Sequence, residues 1–118
     1  MNNSFQSIIK KIKNFRDERD WKKFHNPKDM AEAIVIEASE LLELFLWKNK
    51  EESLEFIKNK KNKEEVSDEF ADVMLFLIEF ADNWGIDIKE AISKKLLKNA
   101  EKYPVHKAKG ISTKYTKL

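Results

Sequence analysis

Between Pro27 and Gly85 nothing in this sequence forces the backbone out of a helix, because that stretch holds no other proline or glycine. Only Pro104 and Gly110 complete the set of such residues in a chain of 118, so long helices joined by few turns are expected. Phe5, Ile8, Ile9, Ile12, Phe15 and Trp21 recur at helical spacings and predict a first helix over about Ser4 to Phe24. "HNPKD" interrupts it. Asn26 suits the N-cap and Pro27 the first position of a second helix running to about Trp47. A Lys- and Glu-rich connection follows, with Leu54, Phe56 and Ile57 forming a helical turn or two. The third helix spans about Glu64 to Trp84 and stops at Gly85, the residue best suited to a left-handed C-terminal position. Asp87 and Glu90 make a capping-box-like start to the fourth, which Pro104 closes. Residues 104–118 read as an irregular basic tail. With no alternating strand pattern, the expected fold is all-α, a single four-helix bundle-like domain over residues 1–118.

Composition removes several function classes. There is no cysteine, which excludes disulfides, thiol catalysis and thiolate-bound zinc. No apolar run reaches the length of a membrane span, and "MNNSFQSIIKKIKNF" lacks a signal peptide's apolar core, so a cytoplasmic address is expected. The net charge is only +2. From Lys94 onward, however, lysines abound and Glu101 is the one acid, which suggests an anionic partner near that end. No nucleic-acid-binding motif accompanies it.

The unusual feature lies in the two most apolar segments. "MAEAIVIEASELLELFLW" contains Glu37 and Glu40, and "DEFADVMLFLIEF" contains Glu69 and Asp72. At about 100° per residue, the members of each pair lie roughly 60° apart. The first pair falls nearest Met30, Ala33, Leu41 and Leu44, with Glu32, Ser39 and Glu43 further round. Glu69 falls among Val73, Phe76 and Phe80 and shares that face with Glu65, whereas Asp68 and Glu79 project toward the polar side. Burying a lone carboxylate costs several kcal/mol, and four together repel one another. A hard divalent cation answers both costs, since carboxylate oxygens are what Mg²⁺ prefers while it keeps waters and recruits phosphates. The alternative is that these acids occupy a rim, solvated or paired with lysines. A di-iron bundle requires Glu-x-x-His motifs, and neither His25 nor His106 follows a glutamate by three.

These residues, with their flanks, resemble the all-α nucleoside triphosphate pyrophosphohydrolases of the MazG-like superfamily. "ERDWKKFHNPKDM", "ELLELFLW", "NAEKYPVHKAKG" and "GISTKYTKL" are similar to segments of its dCTP pyrophosphatase branch, from about Arg16 to Leu118. The resemblance implies cleavage of (deoxy)nucleoside triphosphates, dCTP or a related pyrimidine first, between the α- and β-phosphates. It implies Mg²⁺, with Mn²⁺ as the alternative, on Glu37, Glu40, Glu69 and Asp72, and a homodimer or homotetramer. His25 and Trp47 match residues near the base or sugar; Asn99, Lys102 and Tyr103 match residues near the phosphates. Two positions depart from the pattern. Phe76 stands where eukaryotic members carry tyrosine, and Lys102 where arginine is usual, which keeps charge but gives up a bidentate fork.

Residue chemistry supports the phosphate role separately. Lys95, Asn99, Lys102 and Tyr103 share one side of the fourth helix and offer ammonium, amide and phenol donors. Two non-enzymatic alternatives stay open: a helical protein-interaction module, and a nucleotide binder without turnover.

Overall fold

The computed structural model describes residues 4–118 and divides the chain into two compact units, Met1–Gly85 and Ile86–Leu118. The first three residues, part of the stretch read for a targeting signal, lie outside the described ones. Six α-helices and two short 3₁₀ turns make up the described structure: α1 Phe5–Glu18, α2 Pro27–Glu43, α3 Lys50–Lys58, α4 Lys60–Asn83, α5 Ile88–Lys102 and α6 Val105–Ala108. The 3₁₀ turns cover Lys22–Phe24 and Tyr115–Lys117. The described residues contain no strand, as an all-α fold requires.

In the first unit α4, at 24 residues the longest helix, is the common partner of α1, α2 and α3. Local chemistry sets most of the boundaries. Ser4 Oγ accepts from the Ser7 amide at the start of α1, and Asn26 Oδ1 from the Asp29 amide at the start of α2, with Pro27 following it. Each cap satisfies a donor that the first helical turn leaves without an intrahelical partner. Gly85 ends α4 at φ +66°, where a Cβ would be strained. Asp87 caps α5 through the Glu90 amide.

Four expected boundaries are corrected by packing. The first helix ends at Glu18 rather than Phe24: the Arg16 carbonyl accepts from the amides of both Arg19 and Trp21, and Asp20 turns to φ +55°. Aspartate tolerates that region better than most residues. The turn folds Trp21 back against Phe15, ring centroids 5.8 Å apart and edge to face.

The second helix ends at Glu43 rather than Trp47 and unwinds through i→i+3 bonds such as Phe45 N–H to Leu42 O. The reversal brings Phe45 edge to face with Phe56, 5.5 Å between centroids. The connection expected to hold a turn or two contains the nine-residue α3, with a full capping box between Asn49 and Glu52. Helix α4 then starts at Lys60, earlier than expected, capped by Asn59.

The second unit consists of α5, α6 and the final turn, so the expected irregular tail is partly helical. Tyr103 and Tyr115 meet edge to face at 5.9 Å, and Lys102 Nζ lies 4.8 Å over the Tyr115 ring.

Fully buried apolar side chains are few among the described residues: Ile12, Met30, Ile78 and Ala81. Each such large side chain contributes roughly 1.5–3 kcal/mol by burial, which makes a thin core for a chain of this length. Val35, Leu42 and Leu46 on or just past α2 stay exposed, as do Phe70 and Leu77 on α4.

Candidate functional site

Helix α2 contributes Glu37 and Glu40, helix α4 Glu69 and Asp72, and the two helices pack together. Three residues advance a helix by about 4.5 Å and 60°, so each helix presents two carboxyls side by side. One carboxylate oxygen from each of the four lies within 4.8 Å of the others. All four residues are half-buried. The apolar neighbours expected for the first pair hold, with Met30 buried and Ala33, Leu41 and Leu44 half-buried. Glu65, expected to share the face of Glu69, is exposed instead.

Lysine pairing does not account for this cluster, because none of the ion pairs among the described residues involves these four acids. Glu37 Oε2 and Glu69 Oε2 are buried without any hydrogen-bond partner. Burial pushes the Glu37 carboxyl above the usual carboxylate range, and the close carboxyl of Glu40, with the charges of Asp72 and Glu69, pushes it further. Glu69 is raised in the same way, by burial first and then by Glu40, Asp72 and Asp68. Four convergent hard-oxygen donors, two with orphaned atoms, fit a divalent cation of the Mg²⁺ class.

Asp72 also borders a cavity of about 520 Å³. Phe15, Trp21 and Phe76 give it aromatic walls, and Ile12 and Leu75 add aliphatic surface. Its polar lining includes His25 and Glu79. Asn83 Nδ2 lies 2.9 Å from His25 Nδ1 while its Oδ1 accepts from Arg16 Nη1 at 2.9 Å. Burial, with the Arg16 charge, holds His25 below its usual pKa. Arg16 also donates to Asp82 at 2.7 Å and to Asp17 at 2.8 Å.

Among the residues singled out from sequence, the structure therefore brings together Glu37, Glu40, Glu69 and Asp72, and sets His25 and Phe76 with Asp72 on one cavity. Trp47 stands apart: it is 91% exposed, at φ +63°, a conformation costing a non-glycine residue about 1–3 kcal/mol. Trp21 and Phe24 are likewise exposed. Lys95, Asn99, Lys102 and Tyr103 belong to the second unit, where the Asn99 carbonyl accepts from the Tyr103 amide at 2.8 Å.

Arg16 and Glu79 were missed as site residues. Glu79, expected toward the polar side, is only 8% exposed, because α1 covers that end of α4 through Arg16 and Lys13 to Asp82. A signal was available, since Asp72 and Glu79 are seven apart and so occupy the same helix side two turns on.

The all-α fold thus sets a carboxylate cluster able to hold a divalent cation beside an aromatic-walled cavity, the two sharing Asp72. The MazG-like family model matches residues 33–118, and the chain belongs to the MazG-like family. The dCTP pyrophosphatase 1 proteins of Rattus norvegicus and Homo sapiens are each 36% identical over 104 residues, 88% of this chain. The chain spans 61% of the length of those relatives. A crystal structure of a pyrophosphatase from Archaeoglobus fulgidus superposes with a TM-score of 0.80 at 37% identity, covering 88% of this chain and 95% of that one.

Proposed function

We propose that this chain is a Mg²⁺-dependent pyrophosphohydrolase that cleaves deoxynucleoside triphosphates, dCTP first, into the monophosphate and pyrophosphate. The observation that carries the reading is that Asp72 belongs both to the carboxylate cluster and to the aromatic cavity. A base in the cavity and a phosphate chain at the cluster are then neighbours on one ligand. The printed names of the relatives, dCTP pyrophosphatase 1 and pyrophosphatase, agree with this chemistry.

Glu37, Glu40, Glu69 and Asp72 are the proposed metal ligands. The bound cation supplies charge neutralisation on the phosphates and brings the pKa of water toward neutrality. One of the four carboxylates takes the proton of the attacking water. His25, Phe76 and Trp47 are assigned to the base and sugar, Trp47 as a stacking surface. Lys95, Asn99, Lys102 and Tyr103 are assigned to the phosphates, as donors that stabilise charge on the departing pyrophosphate. Residues 1–118 act as one MazG-like domain in this reading, with a cytoplasmic address. No described helix is long and apolar enough to cross a membrane.

Incubation with a panel of deoxynucleoside triphosphates and Mg²⁺, resolving pyrophosphate from orthophosphate, tests the assignment. Monophosphate and pyrophosphate are the expected products. Orthophosphate with a diphosphate would overturn the cleavage position; a preference for another base would overturn only the dCTP assignment. No turnover with any triphosphate, despite tight binding, would leave a nucleotide binder.

A homodimer or homotetramer is part of the same proposal. Leu42 and Val35 are 70% and 68% exposed, and Trp47 projects fully from its turn. Apolar surface of this kind usually marks an interface, and a stable one buries about 1,200–2,000 Å². Light scattering should give at least twice the 14.0 kDa chain mass at micromolar concentration. A monomer there would sink the oligomer.

A further inference from the structure

Glu79 is an acid in the cavity wall that the proposed mechanism leaves without a task. It is 8% exposed, it lines the cavity, and among the described residues no hydrogen bond or ion pair reaches its carboxyl. Carboxylates are seldom buried unless paired, and an unpaired one costs several kcal/mol. Burial pushes the Glu79 carboxyl above the usual carboxylate range; Lys11 lines the same cavity without pairing with it, and the opposing charge is that of Arg16. That guanidinium is already committed to Asp17, Asp82 and Asn83. Among the described residues no hydrogen bond or ion pair therefore accounts for an acid at this place.

The surroundings indicate what kind of ligand does. Phe15, Trp21 and Phe76 offer ring faces, which suit the flat face of a nucleobase whatever its identity. Identity must be read at the base edge, by a polar group able to tell donors from acceptors. An ionised carboxylate only accepts. An exocyclic amino group, as on cytosine or adenine, satisfies it. The keto oxygen that thymine or uracil presents in the same place sets acceptor against acceptor, and the buried carboxyl stays unpaired. A site built around a hydrogen bond rejects partners that cannot make it far better than an apolar pocket rejects a misfit in size.

We propose that Glu79 is a specificity-determining residue, its carboxyl accepting a hydrogen bond from the exocyclic amino group of a nucleobase held in this cavity. The proposal rests on the nucleotide reading above and narrows it to amino-bearing bases.

The test compares kcat/KM for dCTP and dTTP, followed by pyrophosphate release, in wild type, Glu79→Gln and Glu79→Leu. Wild type should favour dCTP. In Glu79→Leu the dCTP-to-dTTP ratio should fall by roughly ten- to a hundredfold, the scale of one buried hydrogen bond. In Glu79→Gln it should fall too, chiefly by a gain for dTTP, because the amide can donate to a keto oxygen. Glu79→Gln is close to isosteric, so it carries the test if Glu79→Leu fails to fold. A ratio unchanged in the variants, or a wild type that favours dTTP, would overturn the assignment.

Calorimetric titration with dCMP and dTMP separates this idea from the catalytic one. If wild type releases no pyrophosphate but binds dCMP over dTMP in a Glu79-dependent way, the hydrolase reading fails and the role of Glu79 stands. Equal affinities for the two monophosphates would remove that role, whatever the turnover.

Discussion

Glu69→Gln should melt at or above wild type in EDTA, yet lose turnover by orders of magnitude in the presence of Mg²⁺. Both halves follow from the same geometry. Glu69 Oε2 is buried with no partner, and Glu40, Asp72 and Asp68 all add like charge to it. Without a cation that arrangement opposes folding, and glutamine keeps the shape while removing one charge. With Mg²⁺ and a slowly cleaved triphosphate analogue, wild type gains stability by mass action on the folded state, and the variant should gain much less. Turnover falls because three carboxylates no longer position the cation and the attacking water for reaction. Glu43→Gln is the control, since Glu43 is exposed on the same helix α2. Its melts should follow wild type both in EDTA and with Mg²⁺ and the analogue, and its turnover should stay intact. If Glu69→Gln gains as much from metal and nucleotide as wild type, Glu69 is not a ligand.

The carboxylate cluster was legible in the sequence because it depends on a local period. Three residues within one helix fix how two side chains stand to each other, and apolar neighbours mark which side faces inward. The pairs Glu37 with Glu40 and Glu69 with Asp72 needed only that α2 and α4 pack together. Caps were legible for the same reason: Asn26 and Asp87 act on amides three residues away.

What escaped was set by contacts distant in sequence. "RDERDW" carries no glycine or proline, so nothing local stops α1 at Glu18; the return of Trp21 onto Phe15 does. Helix α2 stops where Phe45 turns to meet Phe56. Glu79 projects to the polar side of an isolated α4 and is buried only because α1 lies over it. Trp47 is a different case. Its family resemblance places it near a base, while in this chain it points away from any core and is exposed. Local signals were overlooked too: the seven-residue step from Asp72 to Glu79, and Asn49 with Glu52, a capping box hidden in a lysine-rich run.

Arg16→Met should cost more stability than any single change at the carboxylate cluster. Arg16 is 2% exposed and is the largest fully buried side chain among the described residues. Its guanidinium is held above its ordinary pKa by the hydrogen bond to Asp17, which with Asp82 outweighs the opposing effect of burial. Asp17 is half exposed, so that pair contributes little on its own. The bonds to Asp82 and Asn83 tie α1 to the C-terminal end of α4, and Asn83 carries the link on to His25. Removing one partner of a buried pair costs about 3–5 kcal/mol, which in a domain of this size lowers the melting temperature by on the order of 10–20 °C. Arg16→Lys should fall between, keeping the charge but not the fork that serves three acceptors. Asp82→Asn combined with Arg16→Met should cost less than the two alone, since both break one network. Where Arg16→Lys still folds, KM should rise more than kcat falls, because His25 loses its support while the four carboxylates keep theirs. A melt of Arg16→Met within a degree or two of wild type would show that the Arg16 network contributes nothing, and that α1 is held to α4 without it, by Ile12 and the Lys13–Asp82 pair.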